Sequence, residues 1–596
     1  MSTKHFLPDP THLVTSSLRS LTLTNPSLAL DLPNKIIYRR PCSPVQQPHE
    51  QQVSIISGGG SGHEPSFSGL VGRGLLSAAV AGTIFASPSA EQVRAAIMGR
   101  VDLGRGVLVT VMNYTGDVLN FGMGVEKARA AGVEVEMVVV GDDVGVGRAK
   151  AGKVGRRGIA GTVLVHKISG ALAAMGYGLR EVAGVARLVA ENLVSVGASL
   201  EHVHVPGRKE VAEGGLRGGE VEIGMGIHNE AGSSREVVGL EELVGKMLRQ
   251  MLDRGDEDRA FLHVNSNEVV LLVNNLGGVS VLEMGGILTE VVTQLEKSWN
   301  IRPVRILCGT YMTSLNGLGF SITLLNVVNT NLGGPSMIEL LDYPCEATGW
   351  SAPISKQTWE EKNMATREQD ASLGGDIQAS GLKMDAKAAQ EALTRGLESV
   401  IAAEPDVTRY DTVVGDGDCG IGLKRGAEGA AILKYMQSNA LSGDAVVDTA
   451  NIVPVVEREM DGTSGALYAI FLNALVAALR SQGQGEASAK VWAAALKQSC
   501  DALSKYTPAR PGDRTLVDAL YPFVEVLETT GDVKQAAEAA QNAADGTKGM
   551  KPSLGRTVYI GGPGFKQVPD PGAWGLAAFF LGLAGIKKVD EGWEKV

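Results

Sequence analysis

From the N-terminal side up to about Leu341, short apolar runs rich in β-branched residues end in polar, glycine-bearing stretches. Val53–Ile56 runs into Ser57-Gly58-Gly59-Gly60, and Val107–Val111 into Asn113-Tyr114-Thr115-Gly116-Asp117. Val133–Val140 ends at Gly141-Asp142-Asp143, and Val269–Val273 at Asn274-Asn275 with Gly277-Gly278 just beyond. Mostly continuous apolar runs predict strands buried on both faces, and the helical stretches between them predict α/β layers. In such sheets ligands sit at the carboxyl ends of strands, so the glycine stretches are the predicted site loops. Beyond about Leu382 the period changes. Leu393, Leu397, Val400 and Ile401 share one helix face within Asp385–Glu404, and Ser464–Leu479, Ala487–Leu503, Leu516–Glu528 and Val533–Ala544 repeat the Ala/Leu-rich texture. Strand signals nearly vanish, which predicts an all-helical second domain. The polar texture from about Cys345 to Leu382 reads as an interdomain linker.

Composition narrows the function classes. The chain has 596 residues, 44% hydrophobic and 20% charged, as in an ordinary soluble protein with sizeable cores. Its 76 glycines exceed the usual share, and their clustering favours ligand loops over plain turns. A net charge of −11 repels phosphate backbones and argues against nucleic-acid binding. Five scattered cysteines, none paired at metal spacing, fit a reduced, cytoplasmic protein better than a disulfide framework. Met1–Arg40 does not read as a signal peptide. The most apolar runs, Ala466–Leu479 and Ala573–Gly585, are shorter than the roughly 18 residues of a membrane span and read as buried helices, so no span is expected.

Three loops of the first half carry candidate chemistry. Ser57-Gly58-Gly59-Gly60-Ser61-Gly62-His63-Glu64-Pro65 lets backbone approach a ligand, with His63 at its rim. Asp117 ends the second loop, where it can accept a proton from a hydroxyl or merely cap a helix. Gly224-Met225-Gly226-Ile227-His228-Asn229-Glu230 presents a second histidine, and a neutral imidazole can add to a carbonyl carbon. Each alone is ordinary; His63, Asp117 and His228 together form a candidate constellation.

In the second half, Asp411, Asp416 and Asp418 fall within eight positions, two of them in a Gly-Asp-Gly-Asp turn. Hard cations such as Mg²⁺ take such oxygen donors, and a merely solvated acidic turn leaves the alternating glycines unexplained. The literal Gly-x-Gly-x-x-Gly match there is not a dinucleotide fingerprint, because two of its variable positions are aspartates that repel a pyrophosphate. No Walker A loop occurs. Three further polar loops precede helices: Asp461-Gly462-Thr463-Ser464, Arg510-Pro511-Gly512-Asp513-Arg514-Thr515 and Asp570-Pro571-Gly572-Ala573. Free amides at helix starts suit phosphate, as a nucleotide site at one end of a bundle requires.

The motifs GGGSGHEP, NYTGD, GMGIH, LLVNNLGG, TSLNGLGFSITLL, VGDGDCG, GTSGALY, PGDRT and DPGAWG resemble those of the single-chain dihydroxyacetone kinases, over roughly residues 10–345 and 385–586. That resemblance implies a keto-sugar-binding domain over 10–345 built of two α/β subdomains, a linker over 346–384, and an all-α helical barrel for ATP over 385–590. It implies a covalent hemiaminal between His228 and the substrate carbonyl. Gly60, Ser61, Gly62, His63 and Asp117 would hold the hydroxyls, His63 and Asp117 assisting proton transfer. Asp411, Asp416 and Asp418 would coordinate two Mg²⁺. Asp416, Gly417, Asp418, Cys419, Thr463, Ser464, Thr515, Leu516, Asp570, Pro571 and Gly572 would surround ATP. The expected activity is ATP-dependent phosphorylation of dihydroxyacetone to dihydroxyacetone phosphate, with glyceraldehyde as the alternative acceptor, and the expected assembly is a homodimer. Relatives of this kind also include FAD-cleaving, cyclic FMN-forming lyases, while a non-catalytic regulatory paralogue would be expected to have lost the metal ligands or the histidine. Two positions depart from the pattern: Met112 stands where the family has Lys, and Asp461 where it has Gly.

Overall fold

The computed structural model describes residues 5–40, 51–207, 215–264, 268–351, 354–361, 377–428, 432–460, 462–554 and 563–586. The chain forms two compact units, residues 1–366 and 367–596. Asp461 lies outside the described residues.

The N-terminal unit contains two six-stranded sheets. The first holds β1 (Leu28–Asp31), β2 (Ile36–Arg39), β3 (Ser54–Ser61), β4 (Ala78–Ile84), β5 (Val107–Met112) and β6 (Val135–Val140), in the order β1-β2-β4-β3-β5-β6. Its β3, β4, β5 and β6 run parallel. All eight residues of β3 are buried, and the strand continues through Gly58-Gly59-Gly60 instead of stopping at Ile56. Glycine is needed there: a β-carbon on Gly58 would lie 2.2 Å from the Val80 carbonyl oxygen on β4. The second sheet holds β7 (Leu193–Ser199), β8 (Val221–Ile223), β9 (Ser234–Glu236), β10 (Val269–Asn275), β11 (Arg305–Gly309) and β12 (Gly319–Asn326), ordered β11-β10-β12-β7-β8-β9. Only β10 and β11 pair in parallel; β12 runs antiparallel between β10 and β7, with Val273 opposite Ile322 and Ile322 opposite Val196.

The two sheets are stitched together near their loops. Asp143 and Ser195 form a parallel bridge, the Thr313 amide donates to the His63 carbonyl (3.1 Å), and the Leu315 amide to the Gly62 carbonyl (2.7 Å). A helix buried from Thr162 to Ala173 adds to the shared core. The serine- and threonine-rich N-terminal stretch forms the helix Pro10–Thr24, capped by the Asp9 carboxylate with proline in its first turn. Ala347 and Trp350 are buried in this unit, the Trp350 ring edge-on to Tyr311.

The C-terminal unit is helical apart from a two-residue pairing of Leu382–Lys383 with Gly485–Glu486. Its first long helix, Ala386–Val414, continues through Pro405, beyond the Glu404 end read from periodicity. It packs along Pro571–Leu583 at close range because both present glycines: a β-carbon on Gly396 would press on Phe579, and one on Gly582 on the Arg395 carbonyl. The helices line an apolar cavity of about 710 Å³. Among the described residues, Gly462–Ser481 is long and apolar enough to cross a membrane, longer than the Ala466–Leu479 run first read as too short. In this fold Leu467, Tyr468, Phe471, Leu472 and Leu475 line that cavity, and Leu479 is fully buried.

Candidate active site

Two imidazoles meet between the sheets. His63 follows β3 and is fully buried; His228 stands in the turn after β8. Their Nε2 atoms are 3.0 Å apart and their rings are perpendicular. His63 Nδ1 lies 2.8 Å from the Thr313 carbonyl oxygen, which can only accept, so Nδ1 carries the hydrogen. Burial, then the His228 charge, pulls the His63 imidazole down to about 3, so it is neutral and its Nε2 is an acceptor. The hydrogen between the rings therefore belongs to His228 Nε2. The Phe85 ring stacks on His63 at 5.2 Å, and Tyr114 and Phe85 stand edge-on to His228, walling the pair with apolar surface.

Asp117 lies in the first turn of the helix Thr115–Ala130, but Tyr114, not Asp117, is the N-cap. Its side chain is buried and its Oδ1 has no hydrogen-bond partner. Burial raises its carboxyl above the ordinary range, opposed by Ser87 and His228. A buried, unpaired carboxylate oxygen is costly unless something polar meets it, and a substrate hydroxyl has the right chemistry. The pleat turns Gly59 toward this carboxylate: a β-carbon there would come 3.7 Å from Asp117 Oδ2, whereas one on Gly60 would strike the backbone of Phe85 and Ala86. Gly60, Ser61 and Gly62 are all buried; the Ser61 hydroxyl donates to the Gly82 carbonyl (3.0 Å), and the Gly62 amide to Glu64 Oε2 (2.9 Å). Met112 ends β5 in the core, 1% exposed.

Sequence reasoning passed over Glu230. Its Oε1 accepts from His228 Nδ1 (3.0 Å) and its Oε2 from the His228 amide (2.9 Å). Thr313, which orients His63, was given no role either: it lies within the TSLNGLGFSITLL motif, but its partner His63 is 250 residues away along the chain.

In the helical unit, Asp411, Asp416 and Asp418 bring carboxylate oxygens within 4.8 Å of one another. Asp411 is buried near the end of Ala386–Val414 and Asp418 is the N-cap residue of Cys419–Ala427. The Cys419 amide donates to Asp411 Oδ2 (3.0 Å). Gly417 between the aspartates has φ of +82°, the left-handed region that favours glycine. Cys419 Sγ lies 3.9 Å from Ser464 Oγ; Thr463, beside it, opens the same helix and is exposed.

The other two nucleotide-loop candidates adjoin each other. Leu516 and Gly572 are close enough that a β-carbon on Gly572 would lie 3.5 Å from Leu516 Cβ. The Thr515 amide donates to Asp518 Oδ2 (2.7 Å). Asp570 caps Pro571–Leu583 by accepting from the Ala573 amide (2.8 Å), and burial pushes its carboxyl up to about 6. Buried Arg514 joins the two loops, its Nη2 donating to the Val568 carbonyl (2.9 Å).

Residues 19–349 match the Dak1 domain and residues 413–585 the DAK2 domain. The chain is 42% identical over 596 residues to dihydroxyacetone kinase 2 of Saccharomyces cerevisiae, covering 98% of this chain and 99% of the relative. It is 35% identical over 596 residues to the triokinase/FMN cyclase of Homo sapiens, covering 98% and 100%. Its fold matches the crystal structure of the dihydroxyacetone kinase from C. freundii in complex with AMP-PNP and Mg²⁺, with a TM-score of 0.60, 32% identity and coverage of 98% and 100%. An α/β Dak1 part followed by a helical DAK2 part, alike over nearly the whole length to enzymes of one kind, means that the chain belongs to the dihydroxyacetone kinase family.

Proposed function

We propose that the chain is an ATP-dependent kinase that phosphorylates dihydroxyacetone. The observation that carries this reading is the His63–His228 pair, 3.0 Å apart beside a buried Asp117 oxygen without a partner. In the proposed first step His228 passes its Nε2 hydrogen to His63 Nε2. The freed lone pair bonds to the ketone carbon, and the C=O π pair moves onto oxygen. That oxygen takes the proton from His63, leaving a neutral hydroxyl on the hemiaminal. His63, held neutral by burial, gives up a proton readily, as this relay needs. A polyol such as glycerol lacks the carbonyl and cannot form the bond. Asp117 then accepts the proton of a terminal hydroxyl as that oxygen bonds to the γ-phosphorus of ATP and the bond to ADP breaks.

Three clustered carboxylates, two of them exposed, are a donor set that suits Mg²⁺, so Asp411, Asp416 and Asp418 are proposed to hold it. When bound, Mg²⁺ supplies positive charge against the phosphate oxygens. Cys419, Thr463, Ser464, Thr515, Leu516 and the Asp570-Pro571-Gly572 turn are proposed to surround the nucleotide. On the same reading the two sheets are two α/β subdomains over 10–345, residues 346–384 link them to a helical barrel over 385–590, and the enzyme works as a cytoplasmic homodimer. The free thiols of Cys308, Cys345, Cys419 and Cys500 agree with a reducing compartment.

The test is a coupled ATP-consumption assay over dihydroxyacetone, glyceraldehyde, glycerol and longer ketoses, with and without Mg²⁺. His228→Ala is expected to abolish tight ketone binding while Mg²⁺–ATP binding persists; full turnover of dihydroxyacetone by that variant would refute the covalent role. The likeness to a triokinase/FMN cyclase favours a second reading, cleavage of FAD to cyclic FMN, which the same preparation tests by FAD consumption.

A further inference from the structure

We infer that Glu230 is a positioning residue for the ketone-binding histidine, fixing hydrogen on His228 Nδ1 so that Nε2 is the nitrogen that meets the carbonyl. The inference rests on the covalent role proposed for His228.

The turn is built to bring residues 228 and 230 to one side. Asn229 between them has φ of +66°, and its side chain clamps Val203, accepting from its amide (2.9 Å) and donating to its carbonyl (3.0 Å). The Gly226 amide donates to the Glu230 carbonyl (3.0 Å), closing the turn. Both carboxylate oxygens of Glu230 are thereby spent on His228, one on its amide and one on its ring. Glu230 stays ionised: although burial opposes it, the His228 hydrogen bonds and charge hold its carboxyl down to about 2.

A neutral imidazole carries one hydrogen and can place it on either nitrogen. Without Glu230, the acceptor at His63 Nε2 favours the tautomer with hydrogen on His228 Nε2, whose lone pair then sits on Nδ1, away from the site. An ionised Glu230 holds a hydrogen on Nδ1 as well, so when the hydrogen between the rings moves to His63 Nε2 the lone pair is left on His228 Nε2, the nucleophile. Charge balances as well. The N-substituted imidazolium that addition leaves is paired with that carboxylate, so the positive charge on the ring meets its counter-charge across Nδ1. The other groups facing the pair are His63, Asp117, Tyr114 and Arg157, and Arg157 is itself bound to Asp143 (2.7 Å).

The test uses the full chain with Glu230→Gln, which keeps the size and removes the charge. Three quantities are measured: kcat/KM for dihydroxyacetone, the hemiaminal carbon signal from carbonyl-¹³C-labelled dihydroxyacetone, and the ¹⁵N tautomer signature of His228. Loss of kcat/KM by about 10²- to 10⁴-fold is expected, the range seen when the partner that sets a catalytic histidine's tautomer is removed. The adduct signal should fade and the ring hydrogen move to Nε2. Unchanged Nδ1–H and turnover within about 3-fold, less than a displaced catalytic group costs, would overturn the proposal. Glu230→Asp keeps the charge but withdraws it by one methylene, and wild-type turnover there would overturn it even if the glutamine variant fails to fold. If His228→Ala also turns over dihydroxyacetone, the covalent reading itself fails; loss in His228→Ala with none in Glu230→Gln condemns the Glu230 role alone.

Discussion

A single methyl group placed at Gly226 tests the geometry of the histidine turn without altering any charge. A β-carbon there would lie 2.1 Å from Glu230 Oε2 and 2.5 Å from Arg157 Nη1. Ordinary contact requires a little over 3 Å, so the carboxylate must retreat by about 1 Å. The Oε2 bond to the His228 amide, now 2.9 Å, then stretches to nearly 4 Å and is lost, and the Oε1 bond to Nδ1 moves with it. The stability cost is small. One part-buried hydrogen bond to a charged group is worth about 1.5–3 kcal/mol, and the loss of glycine's freedom in the unfolded chain returns about 0.4–1 kcal/mol. The catalytic cost is not small, because a displacement of about 1 Å at a reacting group costs about 10²-fold. Gly226→Ala should therefore reduce kcat/KM for dihydroxyacetone by about two orders of magnitude while the unfolding midpoint moves by no more than about 2–4 °C. Coupled ATP consumption and thermal unfolding on one preparation decide it. Undiminished kcat/KM, or a collapse of the fold with no selective loss of ketone capture, would refute the reasoning.

Mg²⁺ should raise the unfolding midpoint of the helical unit, and Asp418→Asn should abolish that rise and lower turnover by about 10²-fold or more; calorimetry with and without the metal reads both. His166, wholly buried with neither ring nitrogen hydrogen-bonded, is pulled by burial from 6.5 to about 3. Its unfolded form binds a proton first, so it subtracts stability as pH falls from about 6.5 toward 3, by at most about 4–5 kcal/mol at about 1.36 kcal/mol per unit. His166→Leu should flatten the acid limb of the N-terminal unit's stability curve, followed by denaturant unfolding from pH 7 to 4; an unaltered slope would show that this histidine is hydrated.

The alternation of apolar runs with glycine stretches already placed β3, β5, β6 and β10 to within a few residues, because buried parallel strands need continuous apolar sequence. Helix periods in the second half were equally plain where a helix buries a stripe and leaves the rest polar, as Ala386–Val414 and Val533–Gly546 do. Gly58-Gly59-Gly60 read as a loop, because glycine has no strand propensity of its own; the strand persists there through close backbone approach to β4. The helix Pro10–Thr24 went unread despite Asp9 and Pro10 marking its start, as its few apolar residues form only a thin stripe. His63, Asp117 and His228 stood out as chemistry-bearing residues in glycine-rich loops. Glu230 did not, for whether a carboxylate two residues from a histidine faces it depends on the backbone between them, here a turn in which Asn229 is left-handed.

The seam between the two sheets bears on how this architecture can be inherited. Its two imidazoles come from opposite sides of that seam, and the backbone rungs from Gly62 and His63 to Thr313 and Leu315 set their separation. A fragment with the glycine-rich strand alone would keep the most recognisable motif and lack the second imidazole. Recombination that parts the glycine-rich strand from Thr313 would part the two histidines, so the N-terminal unit passes on as a whole or loses the pair.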